Sequence, residues 1–338
     1  MNKHFRTILQ YLIFLGVGVF FAWLSLKNLD KEKTEQIKIA FRNARHWLIV
    51  PVFAILFLSH FVRALRWRLL IEPLGYNPSR TNSFFAVMIG YLVNQGVPRL
   101  GEVVKCTVLA RYEKIPVDKL VGTIILERII DAITLLFVFG ITLVLQPQLY
   151  TQILDAFFNT SPADSQEKGI STLLLTIILL GAVVLLVGLW MFLKKKTIHD
   201  LASLFKRIWK SVIQGVSAIK HLKKRKQFIF LTFSLWALYL SGGLIGFIAF
   251  QETEQYGIKE AFTILSAGSI GMIASPGGIG AYAYLIEKTM QLYGLNYTIA
   301  LAFGWILWLA QTTVILLGGL ISFAALPYYN KNKIREQS

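Results

Sequence analysis

The sequence has little of what soluble chemistry usually needs. It has one cysteine, Cys106, which excludes an intrachain disulfide and a cysteine-based metal site. Its five histidines, His4, His46, His60, His199 and His221, lie too far apart for a local metal motif such as two His at i and i+4 on one helix. It has no nucleotide-binding loop, so ATP is not implied. Charge is scarce: 16% of residues are charged, against about a quarter in an ordinary soluble domain. Acids are the scarcest, with 18 Asp and Glu against 35 Lys and Arg, for a formal net charge of +17. A chain with 55% hydrophobic residues has too little polar surface to cover a water-soluble globule. This excludes a soluble enzyme and a disordered tail.

What is present is apolar sequence in long runs. A membrane-spanning helix needs about 20 mostly apolar residues. Six segments qualify: Ile8–Leu26, Trp47–Leu65, Leu120–Leu145, Ile170–Leu193, Phe228–Phe250 and Thr298–Leu326. The first follows Lys3 and Arg6. It is long for a signal-peptide core and no small-x-small cleavage site follows it, so it is expected to be retained. Two other stretches are apolar but broken. Ser83–Leu109 is interrupted over Asn94–Gly101, and Ala261–Tyr293 over Ser275–Gly280. Proline removes a backbone donor and glycine weakens a helix, so each stretch is expected to be two half-helices meeting at a loop. Inside a membrane such a loop is tolerated only where protein buries it or water lines it.

Charge predicts orientation. Lys194–Lys226 holds eleven Lys and Arg against Asp200, and Arg63–Arg80 holds four against Glu72. Gln146–Gly169 and Gln251–Glu260 are net acidic. The positive-inside rule then puts both termini in the cytoplasm. The loop Lys27–Arg45, with six basic residues against three acids, falls outside and runs against the rule. The fold expected is an all-α polytopic membrane protein of six spanning helices and two broken re-entrant hairpins, arranged as an inverted repeat. Residues 1–145 form the first repeat, with its hairpin over 83–115. Residues 146–169 form an extracytoplasmic loop, 170–326 the second repeat with its hairpin over 261–293, and 327–338 a basic cytoplasmic tail. Paired interrupted segments in inverted halves point to a transporter site near the midplane. Within 198–220, apolar residues recur every three or four positions with Lys206, Arg207 and Lys210 mostly off that face. This suits a basic helix lying on the membrane or one packed on the bundle.

Ionisable residues inside a membrane are costly and mark functional candidates. Glu127 and Asp131 share one helix face at i and i+4, with Arg128 beside them. Arg128 is the nearest compensating cation in sequence, and Arg99 or Lys105 could reach in from the first hairpin. The group suits a headgroup lining, a proton relay or a static salt bridge. Arg99 precedes a helix start, where free N–H groups and a guanidinium together suit a phosphate. Glu102 there favours the helix dipole. Pro276-Gly277-Gly278-Ile279-Gly280 opens the next half-helix and is either a nest of donors for an anion or a tight bend. Glu287 and Lys288 follow within an otherwise apolar hairpin. Arg63, Arg66 and Arg68 close the second span and are read as interfacial anchors that snorkel. Gln311 is read as interhelical glue, and Trp305 and Trp308 as packing or interface residues.

Taken together, Asn94-x-x-x-Pro98-Arg99-x-Gly101-Glu102-x-x-Lys105, then Glu127-Arg128-x-x-Asp131, then Pro276-Gly277-Gly278-x-Gly280 with Glu287, resembles the flippase-like family that includes the membrane domain of bacterial lysylphosphatidylglycerol synthases. The resemblance runs from about Ile8 to Leu326. It implies that Arg99, Gly101, Glu102, Glu127, Arg128, Asp131, Pro276, Gly277, Gly278 and Glu287 are the functional positions. Lys105 departs from the arginine usual in the family; it keeps the charge and loses the bidentate fork. The chain ends about a dozen residues after the last run, so the expectation is the lipid-translocating part without the synthase domain.

The function expected is a lipid flippase of the bacterial inner (plasma) membrane that moves an anionic polar lipid or a lipid-linked sugar between leaflets, and not an enzyme. Arg99, Lys105 and Arg128 would bind the headgroup. Glu102, Glu127, Asp131 and Glu287 would balance them or relay a proton. Pro98, Gly101, Pro276, Gly277, Gly278 and Gly280 would hinge the hairpins. The partners expected are membrane lipids, either an anionic phospholipid or a polyprenyl-phosphate-linked headgroup, with a separate lipid-synthesising enzyme and a second copy of the chain as further candidates. Nucleic acid, metal and cofactor are not expected. The alternatives are a lipid-modifying membrane enzyme and an assembly factor that presents a basic helix to partners.

Overall fold

A computed structural model describes residues 3–27, 29–97, 99–147 and 222–331. Pro98, nearly all of the loop 146–169, the apolar run 170–193, the basic segment 198–220 and the end of the tail lie outside the described residues.

The described residues form ten α-helices and no strand. These are α1 (Lys3–Leu26), α2 (Lys31–Asn43), α3 (Ile49–Ile71), α4 (Arg80–Gly96), α5 (Leu100–Glu113), α6 (Val117–Leu145), α7 (Arg225–Ala249), α8 (Ile258–Ala274), α9 (Ala281–Leu292) and α10 (Tyr297–Tyr329). Four stretches are long and apolar enough to cross a membrane: His46–Leu74, Val117–Leu145, Arg225–Ala249 and Tyr297–Tyr329. They contain four of the six runs expected from sequence. In α1 the described apolar side chains run over Leu15–Leu26. The long helices are apolar on every side, and their outward faces carry large hydrophobic residues such as Val144 (81% exposed) and Phe233 (74%). That suits a hydrocarbon solvent and not water.

Both broken stretches are pairs of helices. α4 ends at Gly96, Arg99 takes a left-handed conformation (φ 67°), and α5 starts at Leu100. The Asn94 side-chain oxygen accepts from the Gly101 N–H at 2.8 Å, which satisfies an otherwise orphaned donor of the α5 first turn. α4 and α5 pack so closely that a Cβ on Gly101 would collide with the Gly90 carbonyl. In the second pair α8 ends at Ala274 and α9 starts at Ala281. Between them Gly277, Gly278 and Gly280 all have positive φ, which L side chains rarely adopt. The two breaks touch: the Gln95 side chain occupies the space a Cβ on Gly277 would take. Gly280 lies against the α1 backbone at Gly18 and Ala22, where no side chain fits.

The loop Lys27–Arg45 is mostly the helix α2, which the sequence reading did not foresee. Asp30 caps it, its carboxylate accepting from the Lys33 N–H at 2.8 Å. The Lys33 ammonium returns to Asp30 at 3.0 Å, and Lys38 pairs with Glu35 at 2.6 Å. Arg45 pairs with Glu254, and its backbone N–H donates to the Ala249 carbonyl at 2.9 Å. Its guanidinium also donates to the Ile248 carbonyl at 3.1 Å. These bonds take up orphan carbonyls at the end of α7. Much of the loop's positive charge is therefore locally paired. At the other end of α7, Lys224 pairs with Glu72 at 3.0 Å. Asn82 donates to Asn330 at 2.9 Å and to Glu113 at 2.5 Å.

Candidate functional site

A five-residue buried charge cluster joins α3, α5 and α6. Arg63 and Arg66 are at i and i+3 on α3, so both face the same way. Opposite them, Glu127 and Asp131 at i and i+4 form the matching stripe on α6. Lys105 enters from α5. Arg63 Nη1 donates to Asp131 Oδ2 at 2.8 Å and to Glu127 Oε1 at 3.3 Å. Arg66 Nη2 donates to Asp131 Oδ1 at 2.5 Å and reaches Glu127 Oε1 at 3.5 Å. Lys105 Nζ donates to Glu127 Oε2 at 2.9 Å. From α7, Tyr239 accepts from Arg63 Nη2 at 2.9 Å.

Burial makes this geometry consequential. Arg66 and Glu127 are 0% exposed and Arg63 is 8% exposed. Each buried charge must be matched, and removing one partner of such a pair costs about 3–5 kcal/mol. Trp67 and Thr123 help position the lysine: the Lys105 ammonium stands 3.9 Å from the Trp67 ring centroid, and Trp67 Nε1 donates to Thr123 at 2.9 Å. Several buried nitrogens stay unpaired among the described residues. Arg63 Nε, Arg66 Nε and Nη1, and both ring nitrogens of His60 have no hydrogen-bond partner there.

This arrangement corrects two sequence expectations. Arg63 and Arg66 are not snorkelling anchors; they point inward, because carboxylates one helix away reward burial that water would otherwise reward at the interface. Arg68 does serve the end of the span, donating to the Pro78 carbonyl at 2.7 Å. Arg128 does not compensate Glu127 and Asp131 by contact. One residue on from Glu127, it points about 100° away around the helix and pairs with Glu102 at 3.3 Å on a half-exposed face. Lys105 joins the carboxylates. Arg99 is exposed at the hairpin break and does not.

A second polar knot lies between α1, α9 and α10. Glu287 is 1% exposed and accepts from the Ser25 hydroxyl at 2.9 Å. Trp305 Nε1 donates to Ser25 Oγ at 3.3 Å, and the Tyr297 hydroxyl donates to the Ser25 carbonyl at 2.7 Å. Lys288, half-exposed, pairs with Glu287 at 3.1 Å. Trp308 Nε1 donates to the Gly277 carbonyl at 2.9 Å, which ties α10 to the second break. Both tryptophans therefore carry polar contacts as well as packing. Gln311 on α10 approaches the Met272 sulfur of α8 at 3.9 Å.

Sequence reasoning missed Arg63, Arg66, Tyr239, Ser25 and Gln95 as members of these groups. A signal existed for the two arginines. A pair at i and i+3 inside one apolar helix complements a pair of acids at i and i+4 inside another. Ser25, Tyr239 and Gln95 gave none, since such residues occur throughout membrane helices.

A bundle of long lipid-facing helices closed over buried ion pairs defines an integral membrane protein. The chain belongs to the family of the Lysylphosphatidylglycerol synthase TM region, whose model matches residues 8–319. It is also similar to a UPF0104 membrane protein of Methanocaldococcus jannaschii, 27% identical over 134 residues. That match covers 39% of this chain and 38% of the relative. No solved structure matches the chain.

Proposed function

We propose that this protein is a lipid flippase, which moves an anionic polar lipid or a lipid-linked sugar between the leaflets of a bacterial plasma membrane. The observation that carries this reading is the burial of Arg63, Arg66, Lys105, Glu127 and Asp131 between apolar helices, beside a broken hairpin. Charge at that depth is costly, and a pathway for a charged headgroup is the function that uses it. An apolar groove lined by Leu58, Val62, Phe230, Leu231, Phe233 and Leu238 runs between α3 and α7. Val62 and Leu238 lie about 100° around their helices from Arg63 and Tyr239, so acyl chains in the groove would occupy a neighbouring face of the same two helices that carry the cluster.

In this account the pairs α4–α5 and α8–α9 are re-entrant hairpins of two inverted repeats, with six spans and both termini cytoplasmic. The contact of Gln95 with Gly277 brings the two breaks together, and this supports the reading, since paired half-helices of inverted-repeat transporters meet in that way. Gly101, Pro276, Gly277, Gly278 and Gly280 shape the breaks. Glu102 with Arg128, and Glu287 with Ser25, line the two ends of the route. A separate enzyme would supply the lipid.

Leaflet-resolved lipid translocation in proteoliposomes, with product analysis, tests the proposal. Transfer of intact anionic lipid supports it. Lipids that stay in their leaflet while a chemically altered lipid accumulates would sink it.

A further inference from the structure

The charges of the cluster do not balance. The guanidiniums of Arg63 and Arg66 are cationic, and Lys105, at ion-pair distance from Glu127 and over the Trp67 ring, counts as a third cation. Glu127 and Asp131 each face two or more of these cations and count as ionised. The His60 imidazole has no hydrogen-bond partner among the described residues and lies tilted against the Tyr91 ring, centroids 5.1 Å apart; a charge there would be bare, so it counts as neutral. The Tyr91 ring also lies 5.9 Å under the Arg63 guanidinium and adds no formal charge. The neighbouring Arg128–Glu102 pair sums to zero and is half-exposed. Among the described residues one positive charge is left over, in a site whose members are at most 15% exposed at the side chain. A surplus charge so placed is not screened by water and calls for a counter-charge.

The unused donors show where that counter-charge would bind. Arg63 Nε and Arg66 Nε and Nη1 are buried N–H groups on guanidiniums with no acceptor. Leaving such donors unmade is expensive, and on an otherwise well-paired network they point to a missing oxyanion.

We propose that this cluster is an anion site whose single surplus positive charge selects headgroups with one negative charge, the charge of a phosphodiester, over phosphomonoesters and diphosphates. The inference rests on the flippase reading for its cargo but concerns only what the site binds. A phosphodiester lipid brings one charge and two free oxygens to three waiting donor nitrogens. A phosphomonoester, whose second ionisation lies near pH 6, brings close to two charges at pH 8 and leaves the site net negative. Glu127, Asp131 and Lys105 are then the residues that set cargo charge, and Arg63 and Arg66 the ones that touch it.

Binding of defined lipids to the purified full-length protein at pH 8, followed by native mass spectrometry, tests this. The probes are phosphatidylglycerol, a polyprenyl phosphomannose, phosphatidic acid and zwitterionic phosphatidylcholine. The wild type should retain one of the first two at least about tenfold more strongly than phosphatidic acid or phosphatidylcholine. Which of the two is retained distinguishes a glycerolipid from a polyprenyl source. Asp131→Asn raises the cluster to two positive charges and should move the preference about tenfold toward phosphatidic acid. Lys105→Met removes the surplus and should bring anionic and zwitterionic lipids level. Glu127→Gln repeats the Asp131→Asn test if that variant does not fold. Equal retention of mono- and dianionic lipids by the wild type, or an unchanged ratio in a folded Asp131→Asn or Glu127→Gln protein, overturns the charge match. Translocation measured on the same preparations separates that failure from failure of the flippase reading: transport without charge selection removes the inference alone, and charge-selective binding without transport removes the reading alone.

Discussion

Lys105 Nζ lies 2.9 Å from Glu127 Oε2 and 3.9 Å from the centre of the Trp67 ring, so a single ammonium is held by a carboxylate and by an aromatic face. Three helices meet at that atom. The ring supplies attraction without a second negative charge, which leaves the Glu127 carboxylate to be shared with Arg63 and Arg66. The ion pair is thus the joint between the first hairpin and the two helices α3 and α6.

Replacing Lys105 by Met should lower folding stability by about 2 kcal/mol, because Glu127 loses its shortest charge-assisted hydrogen bond while Arg63 and Arg66 still compensate its charge. Lys105→Arg should lose less, since it keeps the charge and adds donors at the cost of volume. Reversible SDS unfolding of the purified proteins, followed by tryptophan fluorescence, gives both values. Equal stability of Lys105→Met and wild type would show that the bond does not hold the hairpin.

Arg128 and Glu102 make a contrasting pair. Their side chains are 42% and 36% exposed. If this face lines the wet route proposed above, separating them should cost no more than about 1 kcal/mol, as for other pairs in contact with water. Arg128→Gln should therefore fold like the wild type, and any loss of transport in it reflects headgroup contact and not collapse. A large drop in its unfolding midpoint would contradict this placement.

Much of this architecture is legible in the sequence, and the limits have physical causes. The spanning helices follow from apolar runs of sufficient length. The two breaks follow from Asn94–Gly101 and Ser275–Gly280, where glycine, proline and side-chain acceptors interrupt helical backbone. Glu127 and Asp131 stand out because charge inside an apolar run is rare. Their partners are harder to see. A cation near the end of a span can turn to water or turn inward, and local sequence does not distinguish the two. Arg63 and Arg66 turn inward only because α6 places carboxylates there, 61 to 68 residues away along the chain. Arg128 shows the reverse: adjacency in sequence separates residues around a helix. α2 was hidden because its charges disguised a short capped helix as a polar loop.

The contact between Gln95 and Gly277 ties the two breaks together. Gly277→Ala should impair both folding and transport, because its φ of 57° disfavours a side chain and its Cβ would strike Gln95. Gln95→Ala removes the collision but not the backbone strain. The double variant should recover part of what Gly277→Ala loses, giving a coupling of at least about 0.5 kcal/mol in a double-mutant cycle read by unfolding. Strict additivity would mean the breaks do not touch.

The central claim is that the buried cluster carries the headgroup. Its most direct test compares wild type and Glu127→Gln side by side in proteoliposomes, with fold checked by unfolding and the rate of anionic-lipid translocation as readout. Glu127 accepts from all three cations, so its neutralisation leaves the site with two surplus positive charges and should slow translocation of singly charged anionic lipid at least about tenfold in folded protein. A folded Glu127→Gln protein that moves lipid at the wild-type rate would contradict the account.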